Sequence, residues 1–553
     1  MLPQTAPPFG GAWWRQNGTP PQSGTDAFSQ ALRRVDHPLF VVGRDGEPAV
    51  AQNGTAHLGD APARGAGSED QPLLGYAPPL HPGELGDAGF TRIFGLRYPY
   101  VAGAMANGIT SVEMVVAMGR AGMIGFFGAA GMSPADVEAA IDRIREALGD
   151  RPFGSNLIHS PNDPDLENAI VDLYLRKGVR LVSASAYLAL TAPLVRYRLA
   201  GIHRGADGRV VCPNRVVAKV SRVEVAEKFF SPPPEKILKK LVAAGKITPE
   251  AAELAREIPV AEALTAEADS GGHTDNRPAL ALLPTMIALR DRMRRQHGFS
   301  QPLPVGLGGG IATPESAAAA FAMGAAYLVT GSVNQACVEA GTSARVREML
   351  AQAGQADVTM APAADMFEMG VKVQVLKRGT MFAPRASKLY DLYSRHERWE
   401  EIPEDQRTLL EKNFFRSSFD EAWKQTRAFF ERRDPRQNQR AETDLKHRMA
   451  LVFRSYLGQS SRWAVSGDPK RAMDYQVWCG PAMGAFNEWV KGSFLERPDE
   501  RRAVTVALNL LVGASVVTRA GWLRQQGVAL PPGAGAFAPM PPDDLFQILG
   551  GAR

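Results

Sequence analysis

From Tyr98 onward the chain alternates short apolar runs with longer stretches in which apolar residues recur at helical spacing. The apolar runs cover residues 101–105, 123–129, 153–158, 180–186, 216–221, 264–269, 304–309 and 327–330. Runs this short, closed by glycine or polar residues, predict buried strands, and the amphipathic stretches between them predict helices. Residues 133–148 show the expected helix start: Ser133 is placed to cap, Pro134 takes the first helical position and Asp136 faces the positive end of the helix dipole. Eight strands alternating with helices predict a closed (β/α)8 TIM barrel, with an open doubly wound sheet as the competing arrangement. The seventh and eighth runs are followed by small residues, Gly309 and Gly310 in one case and Gly331 and Ser332 in the other. Barrels of this kind bind phosphate at those two strand ends, which favours the closed form.

The pattern changes on either side of the barrel. Residues 1–85 are rich in Gly, Pro, Ser and Asn and predict an N-terminal extension, loosely attached over its first 28 residues, with a small antiparallel β cover around the turn Gly43-Arg44-Asp45-Gly46. Residues 86–366 are assigned to the barrel and 367–530 to a helical C-terminal domain rich in charge and aromatics, whose tryptophans are read as packing. Residues 531–553 are expected to form a tail of low order. The connection between the fifth and sixth strands, about residues 224–260, is too long for a plain barrel and carries Lys236, Lys239, Lys240 and Lys246 on two helix candidates. Such excursions above a catalytic face serve as lids or docking surfaces as readily as they form solvated helices.

Composition narrows the function classes. Hydrophobic residues at 45% and charged residues at 22% describe a soluble globular chain. A net charge of +5, from 63 basic and 58 acidic residues without a dense basic tract, argues against nucleic acid as the partner. Cys212, Cys337 and Cys479 are far apart and odd in number, so they are expected to be reduced thiols of a cytoplasmic protein. No basic-then-apolar leader opens the sequence. The apolar run 503–518, interrupted by Asn509, is shorter than the ~20 residues of a membrane span and is expected to be a core helix.

In a barrel the strand-end residues converge on one mouth. Here they are Ala104 and Met105, Asn156, Lys219, then Ser270, Gly271, Gly272 and His273, followed by Gly309, Gly310, Gly331 and Ser332. Singly, a glycine run marks a turn, a strand lysine pairs with a core carboxylate, and a histidine is satisfied in the core or at the surface. Their shared placement points instead to a phosphorylated ligand with chemistry beside it. No HExxH arrangement points to a metal and no GxSxG elbow to acyl hydrolysis.

These residues also carry a family resemblance. YPYVAGAMANGITS, FGSNLIHSP, EADSGGHTDNRP, GLGGGIATPES and YLVTGS resemble the FMN-binding barrel of the 2-nitropropane dioxygenase or nitronate monooxygenase superfamily. VQVLKRGTMFAPRASKLYDLY, FRSYLGQSSRWA and DYQVWCGPAMGAFNEWVKGSFLE resemble the C-terminal part of its PfaD family, flavin enoyl reductases acting in trans with polyketide and polyunsaturated fatty acid synthases. The resemblance spans about residues 70–530. It implies FMN with its phosphate on the backbone of Gly309, Gly310, Gly331 and Ser332 and its ring over Ala104 and Met105. Asn156, Lys219, Ser270, Gly271 and Gly272 would lie at the ring edge, with Lys219 facing the negative charge of the reduced ring. His273, in the superfamily's GGH position, would polarise a thioester carbonyl, deliver a proton to Cα or orient the flavin.

The implied reaction moves hydride from NADPH through FMN N5 to Cβ of a 2,3-enoyl thioester. The nucleotide is expected to bind transiently at the mouth, since no GxGxxG fingerprint is present. The substrate is expected on an acyl carrier protein, an acidic partner for which Lys236, Lys239 and Lys240 are the candidate dock. A nitronate-oxidising flavin oxygenase and a non-catalytic assembly component of a synthase are the alternatives, and the helical domain is free either to cover its own barrel or to form a homodimer.

Overall fold

The computed structural model describes residues 11–44, 46–59, 70–159 and 164–550. At its centre eight parallel strands close into a barrel. They are β1 (Tyr100–Ala102), β2 (Ile124–Phe127), β3 (Gly154–Ile158), β4 (Leu181–Ser185), β5 (Arg215–Val220), β6 (Ala263–Glu267), β7 (Val305–Gly308) and β8 (Leu328–Thr330), and each coincides with one apolar run. β8 pairs with β1, so the sheet has no edge and the doubly wound alternative is excluded. Seven helices follow seven strands: α1 (Val112–Arg120), α2 (Pro134–Leu148), α3 (Pro164–Arg176), α4 (Ala192–Leu199), α5 (Val223–Phe229), α6 (Ala279–His297) and α7 (Pro314–Ala322). Their starts use the local chemistry of the sequence: the Ser133 side chain accepts from the Asp136 N–H and that of Thr313 from the Ser316 N–H.

The eighth helix does not follow β8. Instead α8 (Ala503–Gln525) returns from far downstream and packs against α7 and α1, so part of the helical C-terminal region completes the barrel itself. Its 23 residues exceed the expected run and are long and apolar enough to cross a membrane, but 83% of its apolar window is buried inside the protein. Asn509, fully buried, donates to the Thr505 and Met540 carbonyls and accepts from the Met540 N–H, so the polar interruption is satisfied within the core. Arg519, also fully buried, offsets part of its desolvation by donating from its guanidinium to the carbonyls of Leu32, Arg34 and His37.

That clamp helps hold the described part of the N-terminal extension, from residue 11 onward, which is not loose. Ala12–Arg15 is a strand with Trp14 fully buried, and Thr25–Arg33 is a helix that buries Phe28 and Leu32 and packs on α8. The expected hairpin, Leu39–Arg44 with Glu47–Ala51, is present within a five-stranded sheet; residues 1–10 and Asp45 lie outside the described residues. The tail differs too, since Phe537, Leu545 and Leu549 are buried and Pro542–Ile548 is helical. Its prolines and glycines mask apolar anchors.

The long connection after β5 does not rise above the mouth. Its helices Glu235–Ala243 and Pro249–Leu254 lie along the outside of the barrel, where Leu238, Leu241, Ala252 and Ile258 pack with Val195 and Leu199 of α4. The mouth is covered instead by downstream elements. β9 (Val358–Pro362) and β10 (Lys372–Leu376) form a small sheet with the strand Gly272–His273, and helices Phe419–Arg433 and Leu445–Ser466 lie over it. Asn107 donates to Ser461 Oγ at 3.0 Å and Arg436 pairs with Asp165 at 3.1 Å, so the helical region covers its own barrel.

Gly128, just after β2, shows how tightly the mouth is packed. A Cβ there would sit 1.7 Å from the Met105 carbonyl oxygen. Gly128→Ala is therefore expected to displace the Met105 loop and cost about 1–3 kcal/mol, the usual penalty of overpacking. A lowered denaturant midpoint at unchanged slope would show it; an unchanged midpoint would contradict it.

Candidate active site

Between the barrel mouth and its helical cover lies a cavity of about 870 Å³, joined to a recess of about 110 Å³ at the ends of β7 and β8. Gly309, Gly310, Gly331, Ser332 and Ser270 line the recess. Asn156, Gly272 and His273 line the larger cavity, and Ala104, Met105, Lys219 and Gly271 line both. All twelve candidate residues thus meet in one place. Lys236, Lys239 and Lys240 are exposed but do not line it.

The recess has the character of a phosphate cradle. Cβ atoms built at Gly310 or Gly331 would meet no protein atom within 4 Å, so bare backbone faces open space at both strand ends. Gly309 plays a different part. At φ +89° its Cβ would lie 2.7 Å from the Asp269 carbonyl oxygen, so this glycine lets β7 turn against the end of β6. Ser332 Oγ accepts from the Gly480 N–H at 3.0 Å and ties the recess to the downstream segment that includes Trp478. An FMN phosphate fits a recess with exposed amide backbone and no side chain in the way.

At the junction of the two spaces Lys219 Nζ donates to Glu267 Oε1, and Ser270 Oγ donates to the same oxygen at 3.2 Å. Lys219 lies opposite Thr265 in the ladder, and the two-residue period of β6 turns Glu267 to the same inner face. Glu267 is a site residue that the strand-end reasoning passed over, although that period locates it. The loop 270–273 is held from outside the barrel: Gln374 of β10 donates to Asp269 Oδ1 at 2.7 Å and to the Ser270 carbonyl at 2.8 Å. Asn156 is oriented by donating to Ser185 Oγ at 2.8 Å. Trp478, read as packing from its spacing, lines both spaces.

His273 Nε2 lies 3.1 Å from Asp365 Oδ1, a residue just beyond β9. Burial at the cavity wall favours the neutral ring, but the Asp365 carboxylate outweighs it and holds the histidine above its ordinary value of 6.5. The folded pKa being raised, the pair's contribution to stability is full below the ordinary value and is lost as pH rises through the raised one. Asp365→Asn should therefore lower the His273 pKa, because burial and the Lys219 charge, which both favour the neutral ring, are then opposed only by the Glu267 carboxylate. An NMR titration of the imidazole reads this directly; an unmoved midpoint would contradict the pairing.

Residues 89–390, more than half of the chain, match the family model for nitronate monooxygenase. The chain belongs to the nitronate monooxygenase family. Residues 396–475 separately match the inserted helical domain of [acyl-carrier-protein] S-malonyltransferase, which places a second recognisable unit over the mouth of the nitronate monooxygenase barrel. The solved enoyl reductase domain of MlnA from the macrolactin cluster of Bacillus amyloliquefaciens is 41% identical over 80% of this chain and 99% of that one, with a TM-score of 0.75. A polyunsaturated fatty acid synthase component of Thraustochytrium sp. is 49% identical over 80% of this chain, and polyketide biosynthesis protein PksE of Bacillus subtilis is 46% identical over 78%. The chain spans only 30% and 56% of the length of those two relatives. Within the nitronate monooxygenase family its likeness is to synthase-associated members, and the broad class is oxidoreductase.

Proposed function

We propose that the protein is an FMN-dependent enoyl reductase that serves a polyketide or polyunsaturated fatty acid synthase. The observation that carries this reading is the open glycine recess beside the Lys219–Glu267 pair and His273, in a chain 41% identical to an enoyl reductase domain. When bound, FMN would supply the hydride-transfer chemistry that links oxidation of NADPH to reduction of a 2,3-enoyl thioester at Cβ. The protein's own residues do the rest. The backbone at Gly310 and Gly331 holds the phosphate, and Lys219 offers positive charge where negative charge develops. His273, whose protonated form the Asp365 carboxylate favours, donates a hydrogen bond to the thioester carbonyl, and the helical cover with Trp478 limits water at the reacting carbons.

The substrate is proposed to arrive on an acyl carrier protein. The lysines of the 224–260 connection lie away from the cavity, whereas Gln425, Phe429 and Arg462 of the helical cover line it, and that cover matches a helical domain named for a carrier-protein transferase. Entry along this rim is therefore favoured over the lysine dock. The thiols Cys212, Cys337 and Cys479 are all free, and a cytoplasmic setting is part of the proposal.

The test is spectroscopic. The purified protein should show bound oxidised flavin, bleached anaerobically by NADPH and restored by a crotonyl thioester. Flavin that is restored only by oxygen with a nitronate would transfer the reading to an oxygenase. Absence of flavin after reconstitution would leave a non-catalytic assembly component.

A further inference from the structure

A second imidazole–carboxylate pair lines the same cavity and has no part in the reading above. His159, directly after β3, brings Nδ1 to 3.2 Å from Glu167 Oε2 on α3. Glu167 is buried, and its other oxygen accepts from the Tyr187 hydroxyl at 2.9 Å and from the Thr191 hydroxyl. The rings of Tyr187 and His159 stack with centroids 5.3 Å apart and planes 25° from parallel, while Phe229 meets the other side of Tyr187 edge-on. Tyr187 follows Ala186, whose φ of +61° places a non-glycine residue in the left-handed region at the end of β4. Such strain persists only where its surroundings impose it, and it clusters at functional sites.

The consequence for the ring is specific. A carboxylate accepting at Nδ1 selects the Nδ1–H tautomer and leaves Nε2 as the working nitrogen. Among the described residues Nε2 of His159 has no protein partner, and His159, Glu167, Tyr187, Asn156 and Ser185 all line the cavity. The two pairs also differ in shelter. Side-chain exposure is 23% and 3% for His159 and Glu167, against 37% and 50% for His273 and Asp365. The His159 pair is the more enclosed of the two by side-chain exposure, and His273 is left to polarise the carbonyl.

We propose that His159 is the acid that protonates Cα in the enoyl reduction, with Glu167 and Tyr187 as positioning residues; this rests on the enoyl reductase reading. Hydride from the reduced cofactor forms the C–H bond at Cβ, and the alkene π pair shifts to give the thioester enolate. The enolate Cα then takes the proton from Nε2 of protonated His159, so that one N–H bond breaks and one C–H bond forms. The ring is left as the neutral Nδ1–H tautomer that Glu167 already holds, and water entering from the mouth returns the proton. The electrons come from the nicotinamide nucleotide, so the step balances.

The test uses the flavin-loaded full chain and its His159→Gln and Glu167→Gln variants. In stopped flow, reduction by NADPH should stay within about twofold of wild type, while reoxidation by a crotonyl thioester should slow by roughly 100-fold or more in His159→Gln and about 10-fold in Glu167→Gln, the range of general-acid catalysis. A second readout needs no turnover. The ¹⁵N signals of neutral His159 should report the Nδ1–H tautomer in the wild type and a mixture in Glu167→Gln. Unchanged reoxidation in His159→Gln, equal loss of both half-reactions, or an Nε2–H tautomer in the wild type would each overturn the proposal alone. A wild-type flavin that NADPH reduces but no enoyl thioester reoxidises would overturn the proposal and the enoyl reading together.

Discussion

Lys219→Met should slow reduction of the bound flavin by NADPH by roughly 100- to 1,000-fold, the scale on which removing one preorganised electrostatic group acts. Lys219 and Glu267 face each other where the cavity and the recess meet. With the ammonium in place the pair is neutral overall and presents its positive member to an arriving negative charge. Without it, Glu267 keeps the Ser270 hydroxyl as its donor, and an uncompensated carboxylate confronts charge of its own sign. The reduction potential of the flavin should fall with the rate. The double variant Lys219→Met/Glu267→Gln removes the repulsion and should recover part of both losses. Anaerobic stopped flow and a potentiometric titration measure the two quantities. If Lys219→Met alone leaves both at wild-type values, the lysine has no electrostatic role in the site and serves only as a counter-ion.

Gly331→Ala is the second large effect, and it acts chiefly on binding. A Cβ at position 331 meets nothing in the protein, but the residue's φ of −128° with ψ of −73° lies outside the main regions open to alanine, so the apoprotein should fold with a modest loss of stability. The added methyl occupies the space that a phosphate needs for close approach to the backbone. Flavin affinity should drop by about 100-fold or more, which corresponds to ~2.7 kcal/mol. Fluorescence titration of the apoprotein with FMN reads the change, and the parallel thermal melt excludes misfolding. Undiminished affinity would remove the phosphate from this strand end. Gly309→Ala would be a poor substitute, since a clash with the Asp269 carbonyl would confuse binding with folding.

Much of the barrel was legible locally. Each strand is a short apolar run that needs no knowledge of distant residues, and Ser133, Thr313 and their prolines announce helix starts within one turn. The glycines of the recess were legible for the same reason. Glu267 was reachable through the strand period but was passed over, because it precedes the polar loop that drew attention. Asp365, Trp478 and Gln374 carried no comparable signal. Asp365 and Gln374 belong to the site because β10 pairs with the strand Gly272–His273 and brings the segment 365–374 back over the mouth, and Trp478 because it bridges to Val375 of β10.

By itself, the sequence determined the eight-stranded βα core and the cluster of strand-end residues, since both follow from periodicity and backbone freedom within a few residues. Only the tertiary structure decided which helix closes the barrel, what covers its mouth and which carboxylate each histidine meets. α8 reaches α7 and α1 from beyond Arg502, and Asp365 reaches His273 from 92 residues downstream. The 224–260 connection, adjacent to the mouth in sequence, is drawn down the barrel wall by its apolar face. Such pairings are settled by the burial of apolar surface between elements far apart in the chain, a quantity with no local period to betray it.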